Sequence, residues 1–411
     1  MQNILDVEFP VQFDESIVRY QEHTALPKTG TSLDHLSEIC IAIQNQDIYT
    51  LPSKSYLYLE GTFKTTTGTV PQRTRLSSNG LAFLFEEIKL EINSVEVDRT
   101  RNVGITTSLK NYVSLSPNES ARMSITGWDP FKTYTDFVDD EGRFNACIPL
   151  SMLLGFAEDY QKILLQSLQE LTLIRSRTDK SCYEMKSPIT LANPIEECKI
   201  TLEKICWKIP FIKPSDQHRL KLMKIVENRK MLQMCFRSWQ IYEWPLLPQA
   251  TSQTWAIKSS TQLEKPRFVI LAFQTGRKDK IKNCSSVFDH CELTDVKLYL
   301  DDETYPYDNL NIDYDKNRYA IAYHMYALFR EKYYGKEKGN PLLSMKDFKT
   351  HAPIIVIDAS RQPERIKNSV CDIRIEFKSK NAFPANTSAY CLLLHDRIVE
   401  YEPFSHKVIK L

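Results

Sequence analysis

The chain has 411 residues, 42% hydrophobic and 26% charged, which is the ordinary make-up of a globular protein with room for two or three domains and sizeable cores. Its 53 Lys and Arg stand against 52 Asp and Glu, a balance that excludes a strongly cationic nucleic-acid binder and leaves only local basic patches. No apolar run approaches the length of a membrane span, and Met1–Tyr20 lacks the basic-then-apolar plan of a secretory signal.

Residues 1–34 read as an N-terminal arm. From there strand signals dominate: short alternating or apolar runs bounded by Pro, Asn, Asp, Ser and Thr. Ile39, Ile41 and Ile43 alternate, Tyr56–Phe63 forms a second run, and Phe83 and Phe85 open a third. After Glu86-Glu87 the apolar phase flips to Ile88, Leu90 and Ile92, which predicts a bulge or a break. Asn93-Ser94 predicts a tight turn, with Val95 and Val97 returning on the partner strand. An amphipathic helix is expected around Val103–Val113, halted by Ser116-Pro117. Strands follow at Phe144–Pro149, Leu165–Ile174 and Cys198–Trp207.

Pro210 and Pro214 are expected to break any element, which puts a domain boundary at 210–214: a first unit over 35–212 and a second over 213–411. A helix from Asp216 carries Leu220, Met223 and Val226 on one face. Further strands are expected at Met231–Tyr242, Thr254–Ser259, Arg267–Gln274, Val296–Leu300, Pro353–Asp358, Cys371–Lys378 and Ser388–Val399. A second helix from near Asp315 bears the stripe Tyr319, Tyr323, Tyr326, Phe329 and Tyr333.

The two halves repeat. Ile88, Leu90 and Ile92 match Val296, Leu298 and Leu300 at an offset of about 208 residues, and Asp301-Asp302 takes the turn position of Asn93-Ser94. Ala146-Cys-Ile-Pro-Leu precedes Pro353-Ile-Ile-Val-Ile by nearly the same distance. Each copy holds about eight strands and one helix in a long connection. That predicts an all-β chain with a few helices: two tandem eight-stranded antiparallel jelly rolls, one loop helix in each. A βαβ plan would need helices between most strands.

Chemistry is sparse. Nucleophile-elbow, zinc-protease, P-loop and dinucleotide motifs are missing, and only 11 glycines are present. No two of the eight histidines lie three or four residues apart. Asp289-His290-Cys291, with Cys284 nearby, is the densest set of potential ligands, but it lacks a second paired element at zinc spacing. Asp139-Asp140-Glu141 and Asp301-Asp302-Glu303 flank turns and read as solvated. Ten cysteines are scattered without a CxxC pair, so free buried thiols are expected. Arg277-Lys-Asp-Lys-Ile-Lys, the strongest basic run, reads as an exposed loop with phosphate contact as the alternative. No catalytic, cofactor or metal residue is assigned. Trp239, Trp244, Tyr319, Tyr323, Tyr326 and Tyr333 are left as core or subunit-interface residues, since Trp and Tyr suit contacts with one wet edge.

Four stretches carry a resemblance. They are Phe85-Glu-Glu-Ile-Lys-Leu-Glu-Ile-Asn-Ser-Val-Glu-Val-Asp-Arg with its continuation Thr-Arg-Asn-Val-Gly-Ile-Thr, Phe236-Arg-Ser-Trp through Tyr242-Glu-Trp-Pro-Leu-Leu-Pro, Gln262-Leu-Glu-Lys-Pro-Arg-Phe-Val-Ile-Leu-Ala-Phe-Gln-Thr, and Phe288-Asp-His-Cys through Tyr305-Pro-Tyr-Asp-Asn-Leu-Asn. Together they resemble the double jelly-roll major capsid proteins of Polinton (Maverick) elements and adintovirus-like viruses, which also occur integrated in animal genomes. The resemblance spans roughly residues 35–400. It implies a non-enzymatic shell subunit without cofactors that forms homotrimeric, pseudo-hexameric capsomers of an icosahedral capsid around double-stranded DNA. Implied partners are further copies of the chain, penton and minor capsid proteins, and packaged DNA touched without sequence preference. The implied location is the virion, and the cell interior during assembly. Two alternatives stay open: a tandem β-sandwich enzyme acting on carbohydrate, with two carboxylates converging in an aromatic cleft, and a domesticated capsid relative that self-assembles and binds partners without forming a virion.

Overall fold

The computed structural model describes residues 16–44, 49–132, 137–190, 194–257, 266–335, 340–361 and 372–411. The sequence expectations at Lys258-Ser259, Gln262–Lys265 and Cys371, and residues 1–15 of the arm, lie outside them.

In the first half, eight strands follow one another: β1 (Ile17–Ala25), β2 (Glu38–Gln44), β3 (Tyr56–Thr65), β4 (Phe85–Ile92), β5 (Val95–Arg101), β6 (Arg143–Pro149), β7 (Leu168–Arg175) and β8 (Cys198–Pro214). They form two antiparallel sheets, in the orders β1-β8-β3-β6 and β2-β7-β4-β5. The second half brings β9 (Leu232–Trp244), β10 (Ser252–Ile257), β11 (Pro266–Thr275), β12 (Leu293–Leu300), β13 (Glu303–Tyr305), β14 (Ile355–Asp358), β15 (Ile373–Ser379) and β16 (Thr387–Glu402). Its sheets run β9-β16-β11-β14 and β10-β15-β12-β13. Adding eight to each label of the first half reproduces the second, so the two halves share one jelly-roll topology. Short strands at Tyr49–Thr50 and Lys407–Lys410 attach to β8 and β16.

Local chemistry explains the elements. In β2, Ile39, Ile41 and Ile43 face the core and the residues between them face out. The phase flip at Glu86-Glu87 is a bulge, because the register of β4 against β7 shifts between Phe85 and Glu87. Phe83 lies before the strand, in a 3₁₀ turn over Ala82–Leu84. Asn93 and Ser94 both take positive φ, 50° and 64°, the two-residue hairpin geometry whose twist matches the flanking strands. In the matching turn between β12 and β13 only the first residue, Asp301, has positive φ, at 51°.

Two expectations are corrected. Ile17–Ala25, placed in an arm, is the edge strand β1, paired to β8 from Ile17–Pro214 to Ala25–Trp207. Most of its side chains stay exposed, so no core-facing alternation marks it in the sequence. The prolines do not break the chain either: β8 runs unbroken through Pro210 to Pro214, so the join expected at 212–213 falls inside a strand. The Pro210 carbonyl accepts from Leu51 N, so its nitrogen faces that same edge, where pairing with β3 has already ended at Tyr56. The missing N–H therefore forgoes one bond, to Leu51 beside the short Tyr49–Thr50 pairing, and leaves the ladder with β1 intact.

The helices are α1 (Val103–Ser114), α2 (Gly155–Asp159), α3 (Asp216–Glu227) and α4 (Ala320–Tyr334), with shorter turns at Pro117–Arg122 and Met345–His351. Ser116 caps the Pro117 turn in a capping box with Glu119, which separates it from α1. α1 and α4 occupy equivalent connections, β5 to β6 and β13 to β14. α3 links the rolls. β11 is buried on both faces, since α4 covers its outer side: Phe268 meets Phe329 and Tyr333 at 5.0 and 5.8 Å. Its sequence is accordingly a continuous apolar run.

Candidate functional site

The residues that sequence reasoning set aside as chemistry are engaged elsewhere. Asp289 receives Arg277 at 2.6 and 2.8 Å and the Thr275 amide at 2.9 Å. His290 stacks on Tyr314 at 4.6 Å, and Cys284 meets the Ser286 hydroxyl. Among the described residues, no group of three or more His, Cys, Asp or Glu is placed to hold a metal ion, and no helix is long and apolar enough to cross a membrane.

A groove of about 970 Å³ lies over the outer face of β3, β6 and β8, lined in part by Tyr58, Glu60, Phe137, Asp139 and Glu203. It is the nearest approach to a carboxylate-lined cleft. Hydrogen bonds from Tyr58 and Lys204 hold the Glu60 pKa down, and backbone and side-chain bonds from Arg143 do the same for Asp139. A glycosidase acid needs the reverse, a carboxyl kept protonated by an apolar setting.

The most elaborate side-chain arrangement is the seam between the rolls. Lys110, buried on α1, donates to Glu158 at 2.8 and 3.0 Å, to Ser114 at 2.9 Å and to the Tyr334 hydroxyl at 2.8 Å. Its ammonium also sits 4.6 Å from the Trp239 ring and 4.8 Å from that of Tyr333. Burial pushes its pKa down, and Glu158 opposes that shift. Beside it Arg237 of β9 grips Asp159 of α2 through two bonds of 2.7 Å, its guanidinium 3.6 Å from the Tyr333 ring. Asp98 of β5, fully buried, accepts from Ser238 across the seam and from the Phe156 amide. Burial pushes its pKa up, against those hydrogen bonds. Phe156 meets Phe236 edge-on at 5.2 Å. At Gly155 the two backbones come so close that a Cβ would stand 1.8 Å from the Arg237 carbonyl oxygen.

This seam takes up three of the six aromatic residues considered for a subunit interface, and the other three pack within the second roll. Trp239 and Tyr333 line the Lys110 and Arg237 cluster, and the buried Tyr326 donates its hydroxyl to the Tyr112 carbonyl of the other roll. Tyr319, which stands just before α4, is buried and stacks on Tyr314 at 5.4 Å. Half-buried Tyr323 donates to the Leu343 carbonyl, and Trp244 packs on Trp255 and Phe377 within the second roll. The outward apolar side chains are different ones, among them Val18, Leu36, Leu220, Leu246 and Tyr307, the last 90% exposed. The sequence reading missed Lys110, Asp98 and Arg237, because nothing in a linear sequence separates a buried charge from a solvated one.

Solved structures share this fold. A chain of the Sputnik virophage aligns with a TM-score of 0.65 at 8% identity, covering 100% of this chain and 91% of its own. The mavirus major capsid protein aligns at 0.58 and 8%, covering 100% and 93%. The Faustovirus major capsid protein aligns at 0.57 and 9%, covering 96% and 94%. At such identities the likeness is one of fold. No curated protein sequence matches the chain. The family model described as a double jelly roll-like domain matches residues 74–399, most of the chain and both rolls. The chain belongs to the double jelly roll-like domain family.

Proposed function

We propose that the chain is the major capsid protein of a virus or virus-like element, a non-enzymatic subunit that trimerises into pseudo-hexameric capsomers and tiles an icosahedral shell around double-stranded DNA. One observation carries this reading: two rolls of identical strand order are locked by a buried seam into one block. Two equivalent rolls in each of three chains give six similar flanks, which is the outline a sixfold lattice position needs. The likeness to two proteins whose structures are titled major capsid proteins supports the same assignment. In this reading α3 divides two domains, penton and minor capsid proteins are the other shell partners, and the protein resides in the virion after assembly inside the cell. The resemblance of the four stretches quoted above supports placing it with the Polinton and adintovirus group, integrated or domesticated copies included.

Light scattering on the purified chain tests the proposal. The expected particle has about three times the 47.8 kDa of one chain, or forms hollow shells under negative stain. A monomer that persists at tens of micromolar and hydrolyses glycans would sink it in favour of a carbohydrate-active enzyme working in the Glu60–Asp139 groove.

A further inference from the structure

The sequence stretch 213–230 carries Lys213, Arg219, Lys221, Lys224, Arg229 and Lys230 against only Asp216 and Glu227, a local excess of four positive charges in a chain whose total is +1. All six cations are exposed, and among the described residues none joins an ion pair. In the Arg277 run two of the four cations are neutralised, Arg277 by Asp289 and Lys278 by Glu243, which leaves only Lys280 and Lys282 exposed and outside an ion pair among the described residues. A second observation points the same way. Arg19 of β1 stands directly opposite Lys213 of β8, both exposed, with no carboxylate between them. Like charges at a cross-strand pair are destabilising, so this edge is arranged at a cost that an external anion would remove. Arg229 extends the surface to the second roll, lying 4.6 Å over the Phe404 ring.

We propose that α3 and its flanks are the surface through which this chain holds the phosphate backbone of duplex nucleic acid. The proposal rests on the shell-subunit reading, in which one side of the block meets packaged DNA. A 12-residue helix is about 18 Å long, a length over which a duplex presents about ten phosphates. The same geometry disfavours a lipid surface. An interfacial helix needs a broad apolar face turned outward. Here Leu222, Ile225 and Val226 are half-buried against the protein, and the outward apolar residues are Leu220 and Met223, between the carboxylates of Asp216 and Glu227. No base-reading arrangement is present on this helix, so binding is indifferent to sequence.

The test is fluorescence anisotropy of a 30-base-pair random duplex titrated with the full chain between 50 and 200 mM salt. Binding is expected, with log K falling linearly against log salt. The triple variant R219Q/K221Q/K224Q should flatten that slope by about 2 to 3, at about 0.9 per lost phosphate contact. The charge-keeping K221R/K224R should retain it, and so should K280Q/K282Q on the Arg277 run. No duplex binding at 50 mM salt, an unchanged slope in the triple variant, or an equal loss in K280Q/K282Q would overturn the assignment. So would tighter, triple-sensitive binding to phosphatidylserine vesicles than to DNA. Light scattering on the same samples reports trimer mass separately, so failure here leaves the assembly reading standing or falling by its own measurement.

Discussion

Replacing Gly155 with alanine asks whether the rolls move as one body. The added Cβ would meet the Arg237 carbonyl oxygen at 1.8 Å, its carbon at 2.9 Å and Ser238 Cα at 3.2 Å. All three are backbone atoms, so no side-chain rotation relieves the clash. Gly155 has no positive φ, and alanine is the better helix former, so local conformation favours the variant by up to about 1 kcal/mol. The close approach alone must outweigh that. Ordinary van der Waals contact starts near 3.4 Å, which means α2 must retreat from β9 by roughly 1.5 Å. The retreat stretches the two 2.7 Å bonds between Arg237 and Asp159 and withdraws Phe156 from Phe236. Overpacking costs about 1–3 kcal/mol and breaking a partly buried ion pair up to about 3–5, so a net loss of about 3–5 kcal/mol is expected. By calorimetry, wild type should unfold in one transition; the variant should melt on the order of 10 °C lower or split into two transitions, one per roll. A variant that melts in one step within a degree of wild type would refute the claim that backbone contact at Gly155 couples the rolls.

Lys110→Met strands Glu158 in the seam and should cost about 3 kcal/mol in urea unfolding, with Lys110→Met/Glu158→Gln recovering part of it. The same variant carries a pH signature. Burial holds the Lys110 pKa below the ordinary lysine value of 10.5, so between the two values the unfolded chain binds more protons than the folded one. Wild-type stability should therefore gain a contribution as pH rises through that window, and urea midpoints of Lys110→Met should lack it. Asp179 is buried between Arg175 at 3.4 Å and His35 at 3.1 Å; Arg175→Met leaves it only the histidine and should lower stability by about 3 kcal/mol by the same assay, and a change under about 1 would contradict a stabilising role for the Arg175–Asp179 pair. Alkylation at neutral pH followed by mass spectrometry should modify exposed Cys235 first, while the buried Cys182, Cys284 and Cys391, whose thiol pKa values burial pushes up, react last.

The roll interiors could be read from the chain because each strand buries one face against the facing sheet of its own roll. Alternation at Ile39–Ile43 and the Asn93-Ser94 turn report that burial locally, and the 208-residue offset links the two hairpins. What decides β1 is not local: its side chains stay outside, and only pairing with β8, nearly two hundred residues later, makes it a strand. Pro210 misled for a related reason. Whether a missing N–H matters depends on which edge it faces and where the neighbouring strand ends, and both are properties of the sheet. The tyrosine stripe was legible as an apolar face of α4, but the surface it covers belongs in part to the other roll, through Tyr326 to Tyr112 and Tyr334 to Lys110. Periodicity tells which side of a helix is covered and is silent on whether the cover is the same chain or another copy.

Each roll buries its own core, so neither core dictates how the two stand together; that is left to the seam. Several of its bonds share one design. Tyr326 donates to the Tyr112 carbonyl, Tyr401 to those of Leu165 and Gln166, Arg397 to that of Val97, and Ser286 to that of Ser78. In each, a side chain of the second roll reaches a main-chain oxygen of the first. A main-chain acceptor is present whatever residue stands there, so these bonds withstand substitution at Tyr112, Leu165, Gln166, Val97 and Ser78, unlike the contacts made by Lys110, Asp98, Asp159 and Gly155. A lattice built from copies of a two-roll block depends on the angle between the rolls, because an error within the subunit is repeated at every contact around the shell. Selection on assembly would then act on the few donors of the second roll far more strongly than on the residues they meet.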